Sequence, residues 1–171
     1  MLCENGFGII WLFEHVSNEK FVLSEIKSRL TEVFIQTWNS RMSNNDNYQF
    51  YYSFKSLITP EYYLSSRLYD SNLRNSLTRF RCGVSNINAH RYRYYTDVSL
   101  KKCPNEIDNE IHVIFFCEVY AFIRHKFIDK KFLQKSNMHT LAILISNEKY
   151  QYTLSKYLFA MFTKRKRLLE N

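Results

Sequence analysis

FVLSEIKSRLTEVFIQTWNSRM, residues 21–42, places Leu23, Ile26, Leu30, Val33, Phe34, Trp38 and Met42 at steps of three and four. On a helix that turns once in about 3.6 residues, this spacing lines the apolar side chains along one side, with Lys27, Arg29, Glu32 and Arg41 among the outward residues. The run Ser43-Asn44-Asn45-Asp46-Asn47 ends the helix, because short polar side chains compete for backbone hydrogen bonds. A second periodic segment, from about 148 to 169, turns Leu154, Tyr157, Leu158, Met161 and Phe162 inward. Only three glycines and two prolines occur in 171 residues, too few for the many turns of a β-sandwich or an α/β fold. The sequence therefore predicts a mainly α fold, one multi-helix domain over residues 1–171.

Between the two long helices the signals are shorter. Tyr48–Leu57 reads as a short aromatic helix. Thr59-Pro60-Glu61 reads as a helix start, with Thr59 as N-cap and Pro60 at the first helical position. A helix over Asp70–Cys82 is expected to stop at Gly83, which tolerates the left-handed conformation of a C-cap. Residues 84–107 carry no helical period and read as an irregular loop. Asp108 is expected to cap a helix whose Ile111, Ile114, Phe115, Phe122, Ile123 and Phe127 face the core. At the other end, Phe7–Phe13 reads as a short apolar strand or buried arm.

Hydrophobic residues at 46% and aromatics at 17% exclude an intrinsically disordered chain. No apolar run approaches the roughly 20 residues of a membrane span, so no membrane partner is expected. Four cysteines without paired spacing, behind an N-terminus lacking a basic leader, suit a reduced intracellular protein, cytoplasmic or nuclear.

The formal charge of +8 is concentrated. Arg74, Arg79, Arg81, Arg91, Arg93, Lys101 and Lys102, against Asp97 alone, make a +6 segment. Lys164-Arg165-Lys166-Arg167 adds +4 and leaves the rest of the chain at −2. Arg91-Tyr92-Arg93-Tyr94 alternates cations with rings, which suits phosphates and stacked bases together. The candidate nucleic-acid surface is thus Arg79, Arg81, Arg91, Tyr92, Arg93, Tyr94, Lys164, Arg165, Lys166 and Arg167, and the expected partner is single-stranded RNA or DNA. A solvated face and cation–π pairing within the protein are the plainer readings of the same residues.

Three patterns follow one another between Leu77 and Arg124: Leu77-Thr78-Arg79-Phe80-Arg81, then His90-Arg91-Tyr92, then Cys103, Glu106, Asp108, Glu110, His112, Cys117, Tyr120 and Arg124. This order resembles the C-terminal region of non-LTR retrotransposon reverse transcriptases, whose pattern runs L-T-R-F-R, G-R-Y, C-x-x-C, an acidic stretch ending in histidine, and C-P-x-Y-x-x-x-R. The resemblance implies that Met1 is a start within a longer ancestor and that nucleic-acid binding beside a polymerase was the ancestral role. It implies a zinc cluster of which Cys103, His112 and Cys117 remain, with Glu106 standing where the second cysteine belongs and Glu118 where a proline follows the last. Zinc takes four protein ligands in structural sites, so this set predicts weak zinc binding or none.

On a regular helix, residues five apart point about 140° from each other, so shared ligation by His112 and Cys117 requires a loosened helix end. The paired aspartates of a two-metal polymerase centre and a Gly-rich phosphate loop are both missing from the sequence, which reads as a non-catalytic chain. The alternatives are a metal-free helical module that contacts another protein, and a product with no selected function. Tyr120 and Arg124, four apart, read as anchors of the core edge.

Overall fold

The computed structural model describes residues 19–45, 48–55, 58–85, 87 and 108–170, and it is mainly helical. The segment 7–13 and nearly all of 86–107 lie outside the described residues. Compact packing falls into two units, Met1–Asn45 and Asp46–Asn171.

In the first unit α1 spans Glu19–Ser43, as the periodicity predicts. None of its residues is buried. Ile26, Val33, Trp38 and Met42 are half-covered, while Leu23 (65% exposed), Phe34 (58%) and Leu30 stand in the open. The apolar period is therefore sufficient to make the helix but does not bring its face into a core among the described residues. The surface pair Arg29–Glu32 at 3.4 Å contributes little, because both side chains remain solvated.

The second unit holds the core. Helix α2 (Gln49–Tyr52) buries Phe50, whose ring meets those of Phe54 and Phe80 edge-on at 5.3 and 5.8 Å. Helix α3 (Tyr62–Ser65) begins later than expected, with Glu61 at the N-cap position and no side-chain cap. Thr59 instead accepts hydrogen bonds from Lys55 Nζ, and the Glu61 carboxylate is drawn to Lys55 and Arg81.

Helix α4 (Ser71–Arg81) has the expected ends. The Asp70 carboxylate accepts from Leu73 N–H at the start. At the other end Gly83, at φ 66°, donates to Phe80 O while Val84 donates to Arg79 O. These two bonds form a Schellman turn, which satisfies carbonyls the helix leaves open. Leu73, Leu77 and Phe80 on α4 pack against α8 (Glu148–Glu170), where Leu154, Tyr157, Leu158 and Met161 are fully buried.

From Asp108 onward the local geometry departs from a single regular helix. The Asn109 side chain, not Asp108, accepts from His112 N–H. His112–Phe116 forms a π turn, closed by Cys117 N–H to His112 O at 2.8 Å, and Glu118–Tyr120 forms a 3₁₀ turn. Helix α5 (Ala121–Phe127) follows, then α6 (Lys130–Leu133) and α7 (Met138–Ser146), which Asn137 caps through Thr140 N–H.

The π and 3₁₀ turns reset the helical phase. Ile114 and Phe115 are buried as expected and Ile111, Ile123 and Phe127 pack against the core, but Phe122 is turned outward at 82% exposure. Buried polar groups hold the π turn. The Arg124 guanidinium donates to the carbonyls of Phe115 and Cys117, and the Tyr157 hydroxyl donates to Val113 O. Cys117 O also accepts from Tyr120 N–H, but the Phe115 and Val113 carbonyls, freed from the helical ladder, would each cost about 1–3 kcal/mol left bare in the core, which Arg124 and Tyr157 offset.

Burial of tyrosines gives the unit a distinct alkaline limit. Burial pushes the Tyr51 and Tyr69 hydroxyls from the ordinary 10.0 up to about 12, and it raises Tyr63, Tyr120 and Tyr157 as well. The folded state therefore holds these protons more tightly than the unfolded chain. Their stabilisation is complete below pH 10 and is lost as pH rises toward and through about 12. Thermal melts should be insensitive to these groups below pH 10 and fall steeply above it, with these five hydroxyls ionising only as the chain unfolds. Phenolate formation by one of the five at pH 10 in a chain that remains folded, read as the absorbance lost in its Tyr→Phe variant, would contradict this.

Candidate nucleic-acid interface

The basic residues of the two charged segments separate sharply by helical phase. Arg79 and Arg81 lie about 200° apart around α4. Arg81 falls on the face of Leu73 and Leu77 and is 1% exposed. Its guanidinium donates to Glu61 Oε1 and to Ile145 O, both at 2.7 Å, and lies 5.0 Å from the ring centre of Phe54 and 5.4 Å from that of Tyr63. Arg79 points away from that face and is exposed.

The same division occurs on α8. Arg165 falls on the face of Leu158 and Met161, is 2% exposed, and reaches Asp108 Oδ2 at 2.5 Å and the Tyr120 hydroxyl at 3.2 Å. Burial works against its charge, but Asp108 and Tyr120 outweigh that and hold its pKa above the ordinary arginine value. Lys164, Lys166 and Arg167 are exposed, and Lys164 Nζ donates to Val119 O. Arg81 and Arg165 therefore leave the candidate surface, because a buried guanidinium already bonded to a carboxylate cannot reach a phosphate. Arg91, Tyr92, Arg93 and Tyr94 lie outside the described residues.

Two of the remaining cations line one groove. On α4, Asn72, Asn75, Ser76 and Arg79 recur at helical spacing and line one side of a groove of about 330 Å³. Phe159, Phe162, Thr163 and Lys166 on α8 repeat that spacing and line the other. Ser85 joins them after the turn at Gly83. Neither stripe stood out in the sequence as a site. The signal was there, since each recurs in helical phase beside the buried stripe of its own helix, but a polar stripe on one helix and a mixed aromatic and polar stripe on another can be matched only once the helices are docked.

The metal residues divide differently. His112 and Cys117 bound the π turn, the loosened geometry that shared ligation needs, since the i→i+5 bond stacks residues five apart. His112 is 7% exposed, and Cys117 at 1% packs within the hydrophobic core. Cys103 and Glu106 lie outside the described residues. Among the described residues no group of three His, Cys, Asp or Glu side chains is positioned to hold a metal ion. Tyr120 and Arg124 are buried and bonded within the core, as their spacing predicted.

No described helix is long and apolar enough to cross a membrane. Comparison with known protein families, with curated proteins and with solved structures finds no match.

Proposed function

We propose that this protein is a non-catalytic, single-stranded nucleic-acid-binding module, a degenerate fragment of the kind its resemblance to reverse transcriptase C-terminal regions implies, with zinc bound weakly or not at all. The observation that carries the reading is that Arg79 and Lys166, from two separate basic segments, line one groove together. Lys164 and Arg167 extend the exposed charge on α8. Charge concentrated in this way favours a polyanion, because each phosphate contact releases a condensed counterion.

The test is affinity for an oligonucleotide as a function of salt. Binding should weaken steeply as salt rises, and Arg79→Ala with Lys166→Ala should flatten the slope by about 1.4, at about 0.7 per phosphate contact on a single strand. Both side chains are exposed, so the melting temperature should not move. A wild-type protein that binds no oligonucleotide at low salt sinks the reading. A second reading, a helical protein-interaction module, is favoured by Leu23, Leu30, Phe34 and Ile35, large apolar side chains exposed along α1.

A further inference from the structure

The groove between α4 and α8 holds more than charge. A surface that bound phosphates alone would need only cations, yet here Arg79 and Lys166 share the lining with the ring of Phe159, 41% exposed, and with the carboxamides of Asn72 and Asn75. Ser76 and Ser85, both buried, set its floor. Its volume of about 330 Å³ lies in the range of small-ligand pockets rather than of a flat contact face.

Each component matches one part of a nucleotide. Cations neutralise the phosphate, a phenyl face accepts a stacked base whatever its identity, and a carboxamide offers a donor and an acceptor side by side. Adenine presents the complementary pair, the N6 amino donor beside the N7 acceptor, which one asparagine or glutamine can engage with two hydrogen bonds. Uracil presents one such edge, N3–H beside O4, where adenine presents two, its N6 amino group beside N7 and beside N1, and uracil's single ring covers less of a phenyl face.

We propose that this groove is a nucleotide subsite that seats one base of a bound single strand and prefers adenine, with Phe159 as the stacking surface and Asn72 and Asn75 as the base-reading residues. The proposal rests on the nucleic-acid-binding reading and adds to it a defined seat and a base preference that scattered phosphate contacts would not produce.

The experiment measures binding of the full chain to fluorescent 12-residue oligo(A), oligo(U) and oligo(dA) at two salt concentrations. Wild type should bind oligo(A) roughly threefold more tightly than oligo(U), because adenine offers the asparagines a second edge and Phe159 a larger ring. Oligo(dA) distinguishes a seat that reads the base alone, which binds it as it does oligo(A), from one that also engages the ribose hydroxyl, which binds it less well. Phe159→Ala should weaken binding of every oligomer about tenfold without changing the salt slope, as loss of stacking requires. Asn72→Ala with Asn75→Ala should weaken binding of oligo(A) more than binding of oligo(U) and so narrow the preference. These side chains are exposed, so unchanged melting temperatures separate loss of binding from loss of fold.

Salt-sensitive binding with no base preference, unaffected by the Phe159 and asparagine substitutions, would overturn the subsite and leave the general reading standing. Absence of oligonucleotide binding at low salt would overturn both.

Discussion

Arg165→Ala is expected to destabilise the unit at 46–171 by about 3–5 kcal/mol, enough to unfold a domain of ordinary stability, although it removes only one residue from a run of four cations. The side chain and its partner are 3% and 2% exposed. Two contacts, at 2.5 and 3.3 Å, join the guanidinium to the Asp108 carboxylate across the fold, and a third at 3.2 Å joins it to Tyr120. Truncation opens a void and strips two contacts from a buried carboxylate, so the cost is mainly the poorer compensation of that charge rather than the strength of the pair itself.

That distinction sets the control. Replacing both partners, Asp108→Leu with Arg165→Met, should recover most of the loss, because apolar groups of similar volume leave no charge in the core. Lys166→Ala, about 100° further around the helix, should change stability by no more than about 0.5 kcal/mol. Urea denaturation followed by circular dichroism measures all three. An Arg165→Ala protein with the wild-type midpoint would show that this side chain is not the buried tie described.

Arg81→Ala should cost about 3 kcal/mol, the lower end of the same range, because its partners are only partly stranded. Glu61 retains Lys55 at 2.9 Å, and Ile145 O retains Gln151 Nε2 at 2.9 Å. What is lost outright is the fork that spans Glu61 and Ile145 and the packing of the guanidinium against the rings of Phe54, Tyr63 and Tyr51. Arg81→Lys should recover little, since an ammonium on a flexible stem cannot make the two directed contacts of the guanidinium plane. Arg79→Ala should give the reverse result, an unchanged melting temperature and weaker oligonucleotide binding. If Arg81→Lys restores full stability, a point charge is enough at this position and the forked geometry carries no weight.

These substitutions mark the boundary between what the chain states locally and what the fold adds. Helix existence is local, because a period near 3.6 residues and the end signals at Asp70 and Gly83 act within a few turns. Hence α1, α4 and α8 were legible, along with the inward set Leu154, Tyr157, Leu158 and Met161. The phase that separates Arg79 from Arg81 and Lys166 from Arg165 was also present in the sequence, but a count of basic residues discards phase. Phe122 leaves the inward phase for the opposite reason. The period holds only along a regular helix, and here a π turn adds an extra residue and persists because Arg124 and Tyr157 donate to its Phe115 and Val113 carbonyls.

The period of α1 specifies an apolar face but not what covers it, and in the structure none of its residues is buried. The pairing of Arg165 with Asp108 and of Arg81 with Glu61, and the lining of one groove by both Arg79 and Lys166, depended on tertiary structure alone. Coulombic attraction, desolvation and shared cavity walls act through space between residues that the chain keeps far apart, and no local period records them.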